Sequence, residues 1–152
     1  IRWSLGFNWN ETDITAIADN PSQLDGINID RITRRTKGMI TDADPKTKFT
    51  LAANWQYAKL DLNTRLSRYG SYIARSETAA TDQTFDAKWI VDLDATYNLT
   101  DSLSLTLGAD NVFNTYPEKS NIVDGLGENY YAQLSPFGLY GGYYYGRVNY
   151  RF

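Results

Sequence analysis

Two carboxylates at i and i+2, Asp92 and Asp94, are the first candidates for chemistry in this sequence. In an extended strand they share one face, and a carboxylate pair is what glycoside hydrolysis requires. The competing reading is that they belong, with Asp61, Arg65 and Arg147, to a set of polar-face charges that pair with one another and with water; their spacing does not separate the two. Asp124-Gly125-Leu126-Gly127-Glu128-Asn129 sets carboxylates around glycines, a composition able to hold calcium, but it lacks the ligand spacing of a known calcium loop. Arg34-Arg35-Thr36-Lys37 offers cations to an anionic lipid or ligand, although Asp25, Asp30, Asp42 and Asp44 balance them. Tyr116, Tyr130, Tyr131 and Tyr140 supply ring faces for stacking on a sugar or an aromatic catecholate, against the alternative that loop aromatics pack on one another.

Much chemistry is excluded outright. The 152 residues contain no cysteine and no histidine, which removes disulfides, thiolate metal sites, Cys nucleophiles and His-based catalysis. No enzyme, cofactor or metal site is expected. A net charge of −3 argues against nucleic acid, whose partners carry a basic footprint. The 12 Tyr, 6 Phe and 4 Trp are an excess that needs a structural reason.

The elements that must position these residues are strands. Ile1, Trp3, Leu5, Phe7 and Trp9 alternate with Arg2, Ser4, Gly6, Asn8 and Asn10, the period of a strand. The same alternation predicts strands over Lys48–Gln56, Leu60 to about Tyr72, Phe85–Asn98, Leu103–Asn111 and Tyr143–Phe152. Residues 19–47, 76–84 and 112–141 read as long polar connections, the first with room for a short strand near Ile27–Ile32. Tyr57-Ala58-Lys59 and Leu99-Thr100-Asp101-Ser102 are tight turns. No segment has a helical period, so the class is all-β. No apolar run is long enough for a membrane-spanning helix, but a spanning strand needs only about 9–11 alternating residues. Connections that alternate strictly between long and short are the pattern of outer-membrane barrels.

Asn111-Val112-Phe113-Asn114 with Tyr116-Pro117 resembles the Asn-Leu-Phe-Asp…Tyr-Pro signature near the end of TonB-dependent outer-membrane receptors. Ser135-Pro136-Phe137-Gly138, Gly141-Gly142 and the aromatic strand ending in Phe152 resemble the closing segment of that family. Pro45-Lys46-Thr47-Lys48 and Arg68-Tyr69-Gly70 fit the same pattern. The resemblance implies an antiparallel meander of about six long amphipathic strands, part of a transmembrane β-barrel of about 22 strands with a plugged lumen. Residues 1–152 would be the C-terminal portion of that barrel, a fragment without plug or TonB box, from an outer-membrane protein of a Gram-negative bacterium. The parent would import a siderophore–iron complex, cobalamin or a saccharide.

Implied partners are outer-membrane lipid and the barrel-assembly machinery, with TonB engaging only an N-terminal part outside these residues. Phe152 would be the assembly signal, with Tyr150, Val148, Gly146 and Tyr144 as its apolar register. Tyr116, Tyr130, Tyr131 and Tyr140 would contact ligand. Six strands fall below the single-chain minimum of about eight for closure, so the isolated fragment should oligomerise through open edges. The alternative is a secreted or periplasmic β-sandwich that binds carbohydrate through surface Tyr and Trp.

Overall fold

The computed structural model describes residues 1–24, 30–121, 130–132 and 134–152. Among these the strands are β1 (Arg2–Trp9), β2 (Thr47–Tyr57), β3 (Leu60–Tyr69), β4 (Tyr72–Ala74), β5 (Gln83–Phe85), β6 (Lys88–Asn98), β7 (Leu103–Asp110) and β8 (Tyr143–Tyr150), with one helix, α1 (Arg34–Thr41). β1, β2, β3, β6, β7 and β8 form a six-stranded antiparallel sheet in that order, and β4 pairs with β5 in a second, two-stranded sheet.

Register sorts the side chains of the large sheet. One row crosses Leu5, Leu51, Leu66 and Val91; another crosses Trp55, Leu62, Ala95, Leu107 and Gly146. The opposite face carries Asn54, Asn63 and Asp94 in one row, and Arg65 beside Asp92 in the next. Among the described residues no other element packs across the apolar face: Leu5 is 71% exposed, Phe7 68%, Leu107 62% and Val148 68%. The accessible area of 10948 Å² compares with roughly 7,800 Å² for a compact monomer of this mass. Backbone pairing orders this sheet, and its apolar side chains add no water-excluded core.

The expected all-β segment of a closed transmembrane barrel is overturned on three points. First, α1 lies within the connection read as a long loop with room for a short strand. Thr33 caps it, its Oγ1 accepting from the Thr36 amide at 3.3 Å, and the Asp42 amide donates to the Gly38 carbonyl at 2.9 Å. Gly38 hides the helix from a sequence reading, yet it is required, because a Cβ there would stand 2.5 Å from the Cβ of Arg75.

Second, the third and fourth strands do not run unbroken. The chain leaves the large sheet at Gly70, whose amide donates to the Thr47 carbonyl at 2.9 Å and whose Cβ position lies 2.6 Å from Thr47 Oγ1. Tyr72 and Phe85, expected at the ends of long strands, instead face each other in the small sheet with rings stacked at 4.8 Å. With Ala132 they form a small buried core. Third, both sheets are open: β1 and β8 have no outer partner among the described residues. The short strand near Ile27–Ile32 falls largely outside the described residues, and Asp30–Ile32 is not strand.

Candidate functional site

The polar face answers the question about carboxylates. Asp92 accepts from Arg65 Nε at 2.8 Å and from the Asn111 amide at 2.8 Å. Asp94 accepts from Asn63 Nδ2 at 2.9 Å, and Asn63 Oδ1 accepts in turn from Asn54 Nδ2 at 2.6 Å. Asp61 takes Asn98 Nδ2 at 3.2 Å, and Arg147 lies 5.9 Å from the Tyr145 ring. These carboxylates are committed to ladders within the sheet, so Asp92 and Asp94 do not stand across a gap from each other. A shallow groove of about 380 Å³ lies over them, lined by Arg2, Asn63, Arg65, Asp94, Asp110 and Tyr145 among others.

Arg34 has a structural task. It grips Asp82 with two bonds of 2.6 Å, and Asp82 also accepts from the Ser76 amide at 2.9 Å. Arg75 bridges to Asp42 at 2.5 Å and to Asp82 at 3.4 Å. This cluster ties α1 to β4 and to the turn before β5. The Arg34 guanidinium holds the Asp82 carboxyl well below the usual carboxylate range, and Arg75 lowers that of Asp42. Burial pushes the Tyr72 phenol up to about 12.

Three of the four expected tyrosines come together. Tyr116 and Tyr131 stack at 5.4 Å, and Tyr130 meets Tyr131 edge-on at 5.3 Å. Tyr140 stands apart, 88% exposed. The group includes Lys119, which the sequence reading missed: its Nζ lies 4.4 Å from the Tyr130 ring centre, and the Tyr130 hydroxyl holds its ammonium above the usual lysine range. Lys119 and Tyr131 form an isolated antiparallel bridge. Gln83 anchors that bridge from β5, donating to the Lys119 carbonyl at 2.7 Å and accepting from the Asn121 amide at 2.7 Å. No sequence signal marks Gln83; Lys119 was signalled only by its closeness to Tyr116. The site offers stacked rings beside a cation, a surface suited to a planar or anionic ligand. Asp124–Asn129, the calcium candidate, lies outside the described residues. Among those described, no three His, Cys, Asp or Glu gather as a metal site would need.

The Asn111–Asn114 signature is a turn. Both asparagines have left-handed backbones, with φ of 51° and 55°, a region asparagine tolerates better than most residues. Asn111 brackets Thr115, accepting from its amide at 2.9 Å and donating to its carbonyl at 2.7 Å. Asn114 Oδ1 accepts from the Gly142 amide at 2.8 Å and so sets the start of β8. Along β8, Tyr144, Val148 and Tyr150 are exposed on the apolar face, and the Tyr150 ring meets Phe152 edge-on at 5.1 Å. At the other end of that face Arg68, also missed, lies between Phe49 and Trp89 in register, 5.9 Å from the Trp89 ring.

No protein-family model and no curated protein matches the chain. Solved structures do. A complex of FpvAI with pyocin S2 matches with a TM-score of 0.52 at 19% identity, over 72% of this chain and 14% of that one. The pyoverdine outer membrane receptor FpvA from Pseudomonas aeruginosa PAO1, bound to pyoverdine, matches with a TM-score of 0.52 at 19% identity, over 72% of this chain and 16% of that one. A mutant of the ferric enterobactin receptor from Pseudomonas aeruginosa, in complex with enterobactin, gives 0.50 at 21% identity, over 70% and 16% of the two chains. At this identity the likeness is one of fold. This chain's match spans only 14% and 16% of the length of the first two structures. Two of these structures are described as receptors, and this chain has no histidine or cysteine.

Proposed function

We propose that these residues are the closing part of a TonB-dependent outer-membrane receptor, whose parent takes up a bulky nutrient such as a siderophore–iron complex, cobalamin or a saccharide in a Gram-negative bacterium. The observation that carries this reading is the apolar face of the large sheet, continuous from β1 to β8, with its large side chains exposed on β1 and β8 and exposed or half-buried between them. An apolar surface that large needs a partner, and lipid fits a face whose polar groups are paired within the backbone ladder. The fold likeness to outer-membrane receptors and the Asn111–Asn114 turn support it independently. On this reading Tyr116, Tyr130 and Tyr131, with Tyr140 beyond them, meet the ligand. Tyr144, Gly146, Val148, Tyr150 and Phe152 are the register read by the outer-membrane assembly machinery, and TonB acts on the parent outside these residues.

The test is where the tryptophans sit. In lipid vesicles, brominated acyl chains should quench Trp3, Trp55 and Trp89 emission while aqueous iodide leaves it unchanged. Full quenching by iodide, together with a monomer in detergent-free buffer, would remove the membrane reading.

The openness of both sheets favours a second reading, a secreted or periplasmic carbohydrate-binding module that uses the Tyr116–Tyr131 stack. Saturable saccharide binding by a detergent-free monomer, abolished by Tyr131→Ala, would select it.

A further inference from the structure

Every residue that β1, β2, β3, β6, β7 and β8 place on the apolar face is uncharged except Arg68. The other arginine of β3, Arg65, points to the opposite face and is paired with Asp92. Arg68 has no ion-pair partner among the described residues; its guanidinium lies 5.9 Å from the Trp89 ring centre. It also sits where the face ends, because the chain leaves the large sheet at Gly70. The rows beneath it are aliphatic, Leu66 with Leu51 and Val91. At about 3.4 Å per residue, β3 from Leu60 to Arg68 spans about 27 Å, near the ~25 Å apolar band of outer-membrane proteins.

We propose that Arg68 binds the phosphate of a lipid headgroup at this rim, with the lipid's acyl chains lying over Leu66, Leu51 and Val91; this rests on the lipid-facing reading of the sheet. A guanidinium matches a phosphate with two parallel hydrogen bonds. Trp89 flanks it as amphipathic aromatics flank a membrane interface, with the apolar Phe49 on its other side, and the long arginine stem lets the charge reach the headgroup level from an apolar surface. A second copy of the chain is the poorer occupant. Laid apolar face to apolar face, it would bury Arg68 without a counter-charge, which costs more than the contact returns.

The test uses the full chain in maltoside micelles, titrated with phosphatidic acid or with diacylglycerol of the same acyl chains. Bound lipid is counted by native mass spectrometry. Phosphatidic acid should bind about tenfold more tightly, one molecule per chain at saturation. Arg68→Gln should erase the preference and Arg68→Lys should keep part of it. Lys48→Gln removes the same charge from the opposite face beside the same row, and should leave the preference intact. Inorganic phosphate should not displace the lipid. Equal affinity for the two lipids overturns the headgroup site while leaving the lipid-facing reading in place, and so does an equal loss in Lys48→Gln. Displacement by inorganic phosphate overturns it in favour of a free-anion site. If neither lipid binds, both are overturned.

Discussion

The large sheet and the small cluster at its end solve the problem of order in opposite ways. In the sheet, the backbone ladder and the polar-face chains Asn54–Asn63–Asp94 and Arg65–Asp92 are complete, while the large apolar side chains stay exposed or half-buried with no described element over them. In the cluster, α1, β4 and β5 are short, and stability comes from side chains: Phe85 at 2% exposure on Tyr72, and two arginines gripping two aspartates. One region leaves its apolar side chains on the outside and the other folds them in. One chain therefore carries two folding rules, and a substitution should be judged by the medium its side chain meets.

Phe85→Ala should separate the regions most strongly. Loss of a buried phenylalanine costs about 3 to 5 kcal/mol, and here the loss should fall on the cluster. Amide exchange should rise in α1, β4 and β5, while β2, β3 and β6 keep their protection. Leu107→Arg probes the other region. In lipid it should destabilise the sheet by about 2 to 4 kcal/mol in urea unfolding, whereas in detergent-free buffer, where Leu107 is already wet, the change should be slight. An equal effect in both media would erase the distinction.

Acid should open the cluster before the sheet. Asp82, Asp42 and Glu118 have folded pKa values below the ordinary carboxylate range, because Arg34, Arg75 and Lys88 donate to them. The unfolded chain therefore binds more protons in acid, and stability rises with pH there. The contribution is complete above the unfolded carboxylate pKa and is lost as pH falls through the depressed folded values. Tyr72 works at the other limit: its folded pKa, raised to about 12 by burial, gives a contribution complete below the ordinary tyrosine value and lost as pH climbs toward 12. Amide exchange of α1 against pH would follow both. The smallest effect is a gain. Ala58 turns the β2–β3 hairpin with φ at 51°, so Ala58→Gly should raise the sheet's unfolding free energy by about 1 kcal/mol, without altering the cluster.

Strand position was legible where alternation runs long, as from Trp3 to Trp9 or from Trp89 to Tyr97, because a period of two needs several residues to declare itself. The cluster was illegible for the same reason. β4 and β5 are three residues each, too short for any period, and α1 carries a glycine that only the Arg75 contact explains. The tyrosine site was legible as a list and not as a place. Tyr116 meets Tyr131 through the bridge at Lys119, and Gln83, which fixes that bridge, sits far back in the sequence. Arg68 was within reach, since counting Leu60, Leu62, Thr64 and Leu66 forward in twos lands on it.

Gln83 gives this arrangement a direction of influence. Its backbone belongs to the small sheet, while its side-chain amide stands in for a strand partner to residues 119 and 121. A glutamate of the same shape would keep the acceptor and lose the donor, so the attachment is sensitive to one atom. Through that amide the aromatic site and the ion cluster share a mechanical joint. By thermodynamic reciprocity, a ligand that bound only the tyrosines held in this arrangement would in turn favour the Gln83 contacts that hold them.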